Sequence, residues 1–257
     1  MNSQQIYNSF RTLTSKEIKR ILRIWTQTLL PPVVTQSLYF VIFGSFIGSR
    51  VGLIDGIPYM AFIIPGLVMM AVINASFSNV VSSFFTSKFT KDIQEIQVSP
   101  TPNWVIVFGF VTGGVFRGLL VGLIVFLVSF FFVKPQIQNP LIITLFVFLT
   151  SMVFSLGGLI NGIFAEKFDD VQIFPTFVLI PLTYLGGVFY SINQLPQVWQ
   201  IVSKLNPILY MVNGFRYGFY GVSDVSVWYS FLILLAFTVS LAVLAQILLN
   251  RGVGMRT

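Results

Sequence analysis

The chain of 257 residues has no cysteine and no histidine, and charged residues make up only 9% of it. The absence of cysteine excludes a disulfide framework and thiolate metal sites. The absence of histidine excludes imidazole metal ligands, histidine-containing catalytic triads and histidine proton relays. Water-soluble domains carry about 25% charged residues. The shortage of charge therefore argues against a water-soluble fold.

Long uncharged segments stand where a soluble protein would carry charge. The stretch from Ile24 to Ser49 contains no charged residue, and similar stretches recur along the chain. A helix rises about 1.5 Å per residue, so about 20 apolar residues cross the roughly 30 Å hydrocarbon layer. We therefore expect an all-α integral membrane protein, a single transmembrane domain over residues 1–257, with six transmembrane helices near residues 27–48, 58–83, 105–133, 139–164, 171–190 and 227–249.

The distribution of Lys and Arg outside these spans predicts the orientation. The side that holds both termini carries Arg11, Lys16, Lys19, Arg20, Arg23, Lys88, Lys91, Lys167, Arg251 and Arg256, and the opposite side carries Arg50, Lys134, Lys204 and Arg216. Because cytoplasmic loops are enriched in Lys and Arg, both termini are predicted to be cytoplasmic. The excess of positive charge is then a topology signal. Membrane lipids are expected partners, and nucleic acid is not.

The segment before the first span has the pattern of an amphipathic helix. At helical spacing its apolar side carries Tyr7, Phe10, Thr14, Ile18, Ile21 and Trp25, and the opposite side carries Lys16, Lys19, Arg20 and Arg23. Such a helix lies in the membrane interface, with its basic face toward anionic headgroups. We predict an interfacial helix over residues 7–25. The alternative is a charged flank that only sets topology.

Residues 88–100 form the longest predicted cytoplasmic connection. Helical spacing places Phe89, Ile93 and Ile96 on one face, beside the charged residues Lys88, Lys91, Asp92 and Glu95. Pro100 and Pro102 would end such a helix. A short amphipathic helix on the cytoplasmic side suits docking into a groove of another protein. The alternative is a solvated loop.

Residues 191–226 are too long for a turn and too broken by Pro and Gly for a span. Two short apolar pieces, at 198–205 and 208–219, predict a pair of re-entrant half-helices on the outer side, which requires protein or water to satisfy their ends. A hairpin lying among the headgroups is the alternative.

Arg117 lies inside the third span, where placing a charged side chain in lipid costs at least about 2.5–3.5 kcal/mol. It should face protein or water, where it could contact an anionic substrate, bind neighbouring carbonyls or extend toward the interface.

The chain lacks the motor and the coupling groups of a self-powered transporter. No G-x-x-x-x-G-K-[ST] motif is present, so the usual phosphate cradle for ATP is missing. The predicted spans contain no Asp, Glu or His to couple transport to protons or sodium. The remaining source of energy is a separate polypeptide.

Three stretches, in this order and spacing, carry a family resemblance: RIWTQTLLPPVVTQSLYFVIFGSFIGSR, FDDVQIFPTFVLIPLTYLGGVFYSINQLP and LNPILYMVNGFRYGFYG. They resemble the permease subunits of bacterial inner-membrane type-2 ATP-binding-cassette exporters, a family that moves drugs, polysaccharides and lipid-linked glycans. The likeness covers essentially the whole chain. It implies six spans, cytoplasmic termini, an interfacial helix at residues 7–25, a coupling helix at 89–98 and outer re-entrant helices.

The resemblance also implies an assembly of two permeases and two separate ATPase subunits. ATP and Mg²⁺ would bind the ATPases, and this chain would bind no cofactor and catalyse no reaction. The expected coupling residues are Phe89, Lys91, Asp92, Ile93, Glu95 and Ile96. The expected path follows spans one, two and five, with Arg117, Tyr184, Phe189 and Tyr190 as candidate contacts. Alternating access and a lateral route both fit.

Two other functions stay open at this point. The first is a channel or an ion- or proton-coupled transporter, against which the absence of acidic residues in the spans counts. The second is a membrane scaffold that transports nothing.

Overall fold

The computed structural model describes residues 2–254, so Arg256, counted above among the cytoplasmic cations, lies outside the described residues. The helices in the described part are α1 (Ser3–Arg23), α2 (Trp25–Tyr39), α3 (Gly48–Val51), α4 (Tyr59–Phe89), α5 (Asp92–Val98), α6 (Asn103–Ser129), α7 (Pro140–Phe164), α8 (Asp170–Phe174), α9 (Ile180–Tyr184), α10 (Gln197–Lys204), α11 (Pro207–Tyr220) and α12 (Val227–Asn250). A short antiparallel hairpin pairs β1 (Leu53–Ile54) with β2 (Ile57–Pro58), and a 3₁₀ turn covers Ile192–Gln194.

Two π-helical segments join neighbouring α-helices into longer runs. Phe40–Ile47 joins α2 to α3, so that residues 25–51 are helical without a break. Pro175–Leu179 joins α8 to α9 in the same way over residues 170–184. The second π segment begins at Pro175. Because proline has no amide N–H, Pro175 cannot donate the regular α-helical hydrogen bond.

Four helices of the described chain, α4, α6, α7 and α12, are long and apolar enough to cross a membrane. In its most apolar window α4 is 89% buried, whereas α12 is 22% buried. Helix α4 is therefore the centre of the bundle, with α6 and α7 packed against it, and α12 lies at the edge. The structure is an all-α membrane fold.

Close packing of the helices depends on glycine at two contacts. A Cβ atom built on Gly113 of α6 would lie 2.7 Å from Cβ of Glu17 in α1. A Cβ atom on Gly158 of α7 would lie 2.5 Å from the carbonyl oxygen of Phe77 in α4. Small residues let helices approach closely in lipid, where van der Waals packing replaces the hydrophobic effect.

Side-chain hydrogen bonds show which helix ends lie together. Lys88 Nζ donates to the carbonyl oxygens of Ile163 and Ala165 at 3.0 and 2.7 Å, and Asn103 Nδ2 donates to Asn250 Oδ1 at 2.8 Å. These contacts place the ends of α4, α7 and α12 beside α5, at what we call the α5 end. The β hairpin and residues 130–139 and 185–226 lie at the opposite end, called the hairpin end.

The helix boundaries differ most from the predicted ones at two places. Helix α4 continues to Phe89, so the predicted 88–100 connection begins inside it, and Lys91 turns the chain into α5 with a left-handed φ of 66°. The helical run 170–184 ends before residue 190, where the fifth span was expected to end. Gly187 has a φ of 71°, which glycine adopts without steric cost, and the chain reverses there.

Candidate functional site

The predicted docking face of α5 is only partly available to a partner. Ile93 is 1% exposed, in one buried cluster with Leu13 and Phe84, and Ile96 packs against that cluster. The placement of Ile93 on a partner-facing surface is therefore wrong. A short helix with few apolar residues stabilises itself by burying them in its own bundle, at about 25 cal/mol per Å².

A different aromatic surface is exposed at the α5 end. Phe89 and Phe168 are 64% and 59% exposed, and their rings meet edge to face with centroids 5.0 Å apart. Lys91, just before α5, and Asp92 and Glu95, on α5, are also exposed. We call Phe89, Phe168, Lys91, Asp92 and Glu95 the coupling surface, after the role predicted for α5, which stays a prediction. Phe168 lies in the turn between α7 and α8 and is not among the predicted coupling residues.

Helix α1 packs on α6 with an inward stripe at four-residue spacing. Leu13, Glu17 and Ile21 are buried along this stripe. The predicted interfacial residues on the other sides are exposed or partly so: Tyr7, Lys16, Lys19 and Arg23 are exposed, and Phe10 is half-buried. Lys16 Nζ lies 3.9 Å from Asp92 Oδ2, so α1 meets α5. Both side chains are about half exposed, so this pair contributes at most about 1 kcal/mol.

Arg20 belongs to a buried polar network and not to the outward basic face. Its Nη2 donates to Glu17 Oε2 and to Asn79 Oδ1, each at 3.0 Å. Ser83 Oγ donates to the other carboxylate oxygen, Glu17 Oε1, at 2.7 Å. The prediction for Arg20 is therefore wrong, because the guanidinium turns inward to pair with a fully buried carboxylate. This network fixes α1 to α4.

Arg117 lines a cavity of about 290 Å³ between α2, α4 and α6. Its Nη2 donates to the carbonyl oxygen of Thr28 at 3.2 Å. In an α-helix that carbonyl normally accepts from the amide of residue 32, and residue 32 is a proline without an N–H. Arg117 thus satisfies a carbonyl that the proline leaves free. The other polar residues that line the cavity are Gln27, Thr35, Gln36, Asn74 and Ser78.

The predicted path aromatics form a cluster near the hairpin end. Tyr184 and Phe189 stack with centroids 5.8 Å apart, and Phe43 approaches Phe189 to 4.5 Å. Tyr39 meets Phe189 edge to face at 6.2 Å. Tyr190 lines a cleft of about 380 Å³ together with Tyr184 and Phe189. In the helical run 25–51, residues within 27–36 line the Arg117 cavity, and Tyr39 and Phe43, further along the same run, belong to the aromatic cluster. The cavity and the cluster therefore lie one after the other along this run.

A buried ion pair holds the hairpin end together. Arg216 Nη1 lies 3.8 Å from Asp224 Oδ2, and Arg216 Nη2 donates to the carbonyl oxygen of Gly187 at 2.6 Å. The guanidinium also lies over the ring of Phe62, 3.8 Å from its centroid. Asp224 in turn accepts from Ser191 Oγ at 2.6 Å. The 185–195 loop is therefore fixed to α4, α11 and the start of α12.

The turn before α8 is organised by a carboxylate. Asp170 Oδ2 accepts the backbone N–H groups of Glu166 and Lys167, each at 2.9 Å. These two hydrogen bonds favour the charged form and hold the pKa of Asp170 below its ordinary value. Phe168 lies in this turn. Asp170 therefore fixes the position of one of the two rings of the coupling surface.

Sequence reasoning missed Glu17, Gln36, Phe168 and the Arg216–Asp224 pair as structural or site residues. A signal existed for Glu17, because it lies four residues from Leu13 and from Ile21 on a single stripe. The ion pair gave no such signal, since the partners meet only through the turn after α11.

The family model described as ABC-2 type transporter matches residues 8–220. The chain belongs to this family. It is 51% identical over 249 residues to the inner membrane transport permease YadH of Escherichia coli K12, covering 97% of each chain. It is 27% identical over 181 residues to nodulation protein J of Sinorhizobium fredii NGR234, covering 70% of this chain and 68% of that one.

These relationships confirm the resemblance inferred from the sequence. The protein is an ABC-2 transport permease, a multi-pass protein of the inner membrane. The YadH relative is named as a transport permease.

Proposed function

We propose that this permease is the transmembrane subunit of an ATP-binding-cassette exporter and forms the path for a drug, lipid or glycan-type substrate. A separate ATPase subunit supplies the energy. The observation that carries the proposal is the family match over residues 8–220 in a chain that has no phosphate-binding motif. ATP and Mg²⁺ then bind the partner, and this chain binds no cofactor.

The proposed arrangement has six spans, two copies of the chain and both termini in the cytoplasm. The run 25–51 supplies the first span, and the run 170–184 supplies a short fifth one. Exposed apolar side chains on both runs support a second copy as the neighbour there: Val41, Ile42, Ile173, Phe177 and Ile180. The excess of Lys and Arg at the α5 end supports its cytoplasmic orientation.

Force from the ATPase enters through the coupling surface. Helix α5 is joined to the bundle by Ile93 and to α1 by the Lys16–Asp92 pair, and α1 is fixed to α4 by Glu17. A displacement of α5 therefore moves helices that line the Arg117 cavity. Nucleotide shifts the permease between states only through its different affinity for them. In this scheme substrate leaves past Tyr184, Phe189 and Tyr190.

The buried carboxylate of Glu17 bears on the alternative of proton coupling. A proton carrier needs a carboxylate that exchanges protons during transport. Glu17 is held by Arg20 and Ser83 in a closed network, which supports a structural role. An uncoupler should therefore leave ATP-driven export unchanged.

The proposal is tested by co-purification with a cassette ATPase, which we expect to be encoded next to this chain. Native mass spectrometry should find two 28.9 kDa permeases and two ATPase subunits. ATP hydrolysis should require an intact phosphate-binding loop in the partner. A permease that forms no complex with this ATPase, and that supports transport without it, would contradict the proposal.

A further inference from the structure

The Arg117 cavity combines a membrane-embedded position with an unusually polar lining. Arg117 lies near the middle of α6, and Asn74 lies midway along α4. Gln27, Pro31 and Thr35 line the cavity and are exposed, so it opens on the outer side of α2. Polar side chains at this depth are costly in lipid and usually mark a functional pathway.

The charge of Arg117 is not balanced by the protein. No carboxylate of residues 2–254 lies within 4.0 Å of its guanidinium, and Glu17 is paired with Arg20. Its Nη2 reaches the Thr28 carbonyl, and its Nε has no hydrogen-bond partner in the described part of the chain. An uncompensated buried charge is strongly unfavourable, so a bound anion would stabilise this site.

A second side chain indicates that a ligand completes the cavity. Gln36 is 4% exposed, lines the cavity, and its Oε1 has no partner among the described residues. Buried polar atoms normally find a hydrogen-bond partner. Asn74 also lines the cavity, and its Nδ2 donates to the carbonyl oxygen of Met70 at 2.9 Å. The site thus offers a cation for an oxyanion and an amide oxygen for a hydroxyl.

We propose that this cavity binds the anionic, hydroxyl-bearing headgroup of an amphiphile, such as a phosphate ester. The apolar tail lies along Leu30, Val34 and Leu38, which are exposed on α2 beside the mouth of the cavity. A guanidinium suits a phosphate because its donors match two oxygens at once. This inference rests on the proposed function, since it assigns a substrate class to the proposed path.

The test measures binding of dioctanoyl-phosphatidylglycerol to the permease–ATPase complex in a nonionic detergent, by native mass spectrometry. Dioctanoyl-phosphatidylcholine and glycerol 3-phosphate are the comparison probes. We expect phosphatidylglycerol to bind at least tenfold more tightly than either. Arg117→Gln should weaken its binding at least tenfold, and Arg117→Lys should weaken it less. The matched control is Lys134→Gln, which removes an exposed cation from the hairpin end and should leave binding unchanged.

A double variant separates binding from folding. In Pro32→Ala/Arg117→Gln the new amide of residue 32 can donate to the Thr28 carbonyl, so the helix no longer needs Arg117. We expect this variant to be stable and still unable to bind phosphatidylglycerol. Wild-type binding by the double variant would overturn the proposal and leave Arg117 with a structural role alone.

Two further outcomes would also overturn it. Equal affinity for glycerol 3-phosphate would show a site for soluble anions, and equal affinity for phosphatidylcholine would show that charge is not recognised. If binding fails while the complex still assembles and hydrolyses ATP, the headgroup assignment is wrong and the proposed function stands. If the ATPase does not assemble, the proposed function fails, whatever the permease binds by itself.

Discussion

At the level of single residues, the polar groups inside this bundle mostly compensate for one another. Pro32 removes a backbone donor, and Arg117 supplies another to the Thr28 carbonyl. Glu17 is buried, and Arg20 and Ser83 both contact its carboxylate oxygens. The sequence showed that Arg117 needs a polar partner. It could not show which one, because that depends on how α2 and α6 pack.

The relation between Pro32 and Arg117 can be measured as a double-mutant cycle. Arg117→Met removes both an unbalanced charge and the donor to Thr28, and the cycle isolates the second effect. The substitution should be about 1–3 kcal/mol less favourable for stability in the wild-type background than in Pro32→Ala, where the amide of residue 32 donates to Thr28 and no buried carbonyl is left unpaired. Thermal unfolding in detergent measures the stabilities of the wild type, the two single variants and the double variant. Additive effects of the two substitutions would show that they do not share the Thr28 carbonyl.

Glu17 should contribute strongly to stability. Glu17→Ala leaves Arg20 partly buried without its counter-ion, and we expect a loss of about 3–5 kcal/mol. Glu17→Gln keeps a hydrogen bond to Ser83 and should cost less. Glu166→Ala, at an exposed carboxylate of the α7–α8 turn, is the matched control and should lie within about 0.5 kcal/mol of wild type. Equal unfolding temperatures for Glu17→Ala and Glu166→Ala would contradict the network.

At the level of elements, periodicity predicted the existence of α1 and α5 but not what their apolar faces contact. An apolar stripe looks the same whether it meets lipid, a partner or the rest of the chain. For this reason Ile93 was assigned to a partner and Arg20 to the headgroups, whereas both face the bundle. The early end of the run 170–184 depends on Gly187, whose left-handed conformation does not follow from hydropathy.

Substitutions in and around α5 should have two different effects, one for the buried Ile93 and one for the exposed rings of the coupling surface. Ile93→Asp places a charge in the buried cluster of Leu13 and Phe84, so it should lower the unfolding temperature and the yield of folded permease. Phe89→Ala and Phe168→Ala remove exposed rings, so they should keep the unfolding temperature and weaken ATPase binding at least tenfold when combined. A pull-down with the purified ATPase and a thermal scan measure both effects. Unchanged ATPase binding by the double alanine variant would contradict the assignment of the coupling surface.

At the level of the whole molecule, composition and charge predicted an all-helical membrane protein, and the three sequence stretches identified its family. Composition, charge and the three stretches describe the chain as a whole. Conclusions drawn from them therefore do not depend on where any single helix begins or ends. The cavity at Arg117 and the aromatic cluster at Phe189 were out of reach, because each combines residues from distant helices. The charges at the two ends set the proposed orientation, and the exposed runs 25–51 and 170–184 mark the proposed contact between copies.

The central claim is that nucleotide bound to a separate ATPase moves a pair of these permeases. Because the chain has no cysteine, Leu53→Cys places one spin label on each copy at the exposed hairpin end. The most direct measurement is the label-to-label distance in a complex with a cysteine-free ATPase, with and without ATP. We predict a defined distance that changes by several ångströms with ATP, and no response in permease without the ATPase. A distance that ATP leaves unchanged in the complex, or the absence of any distance between copies, would contradict the account.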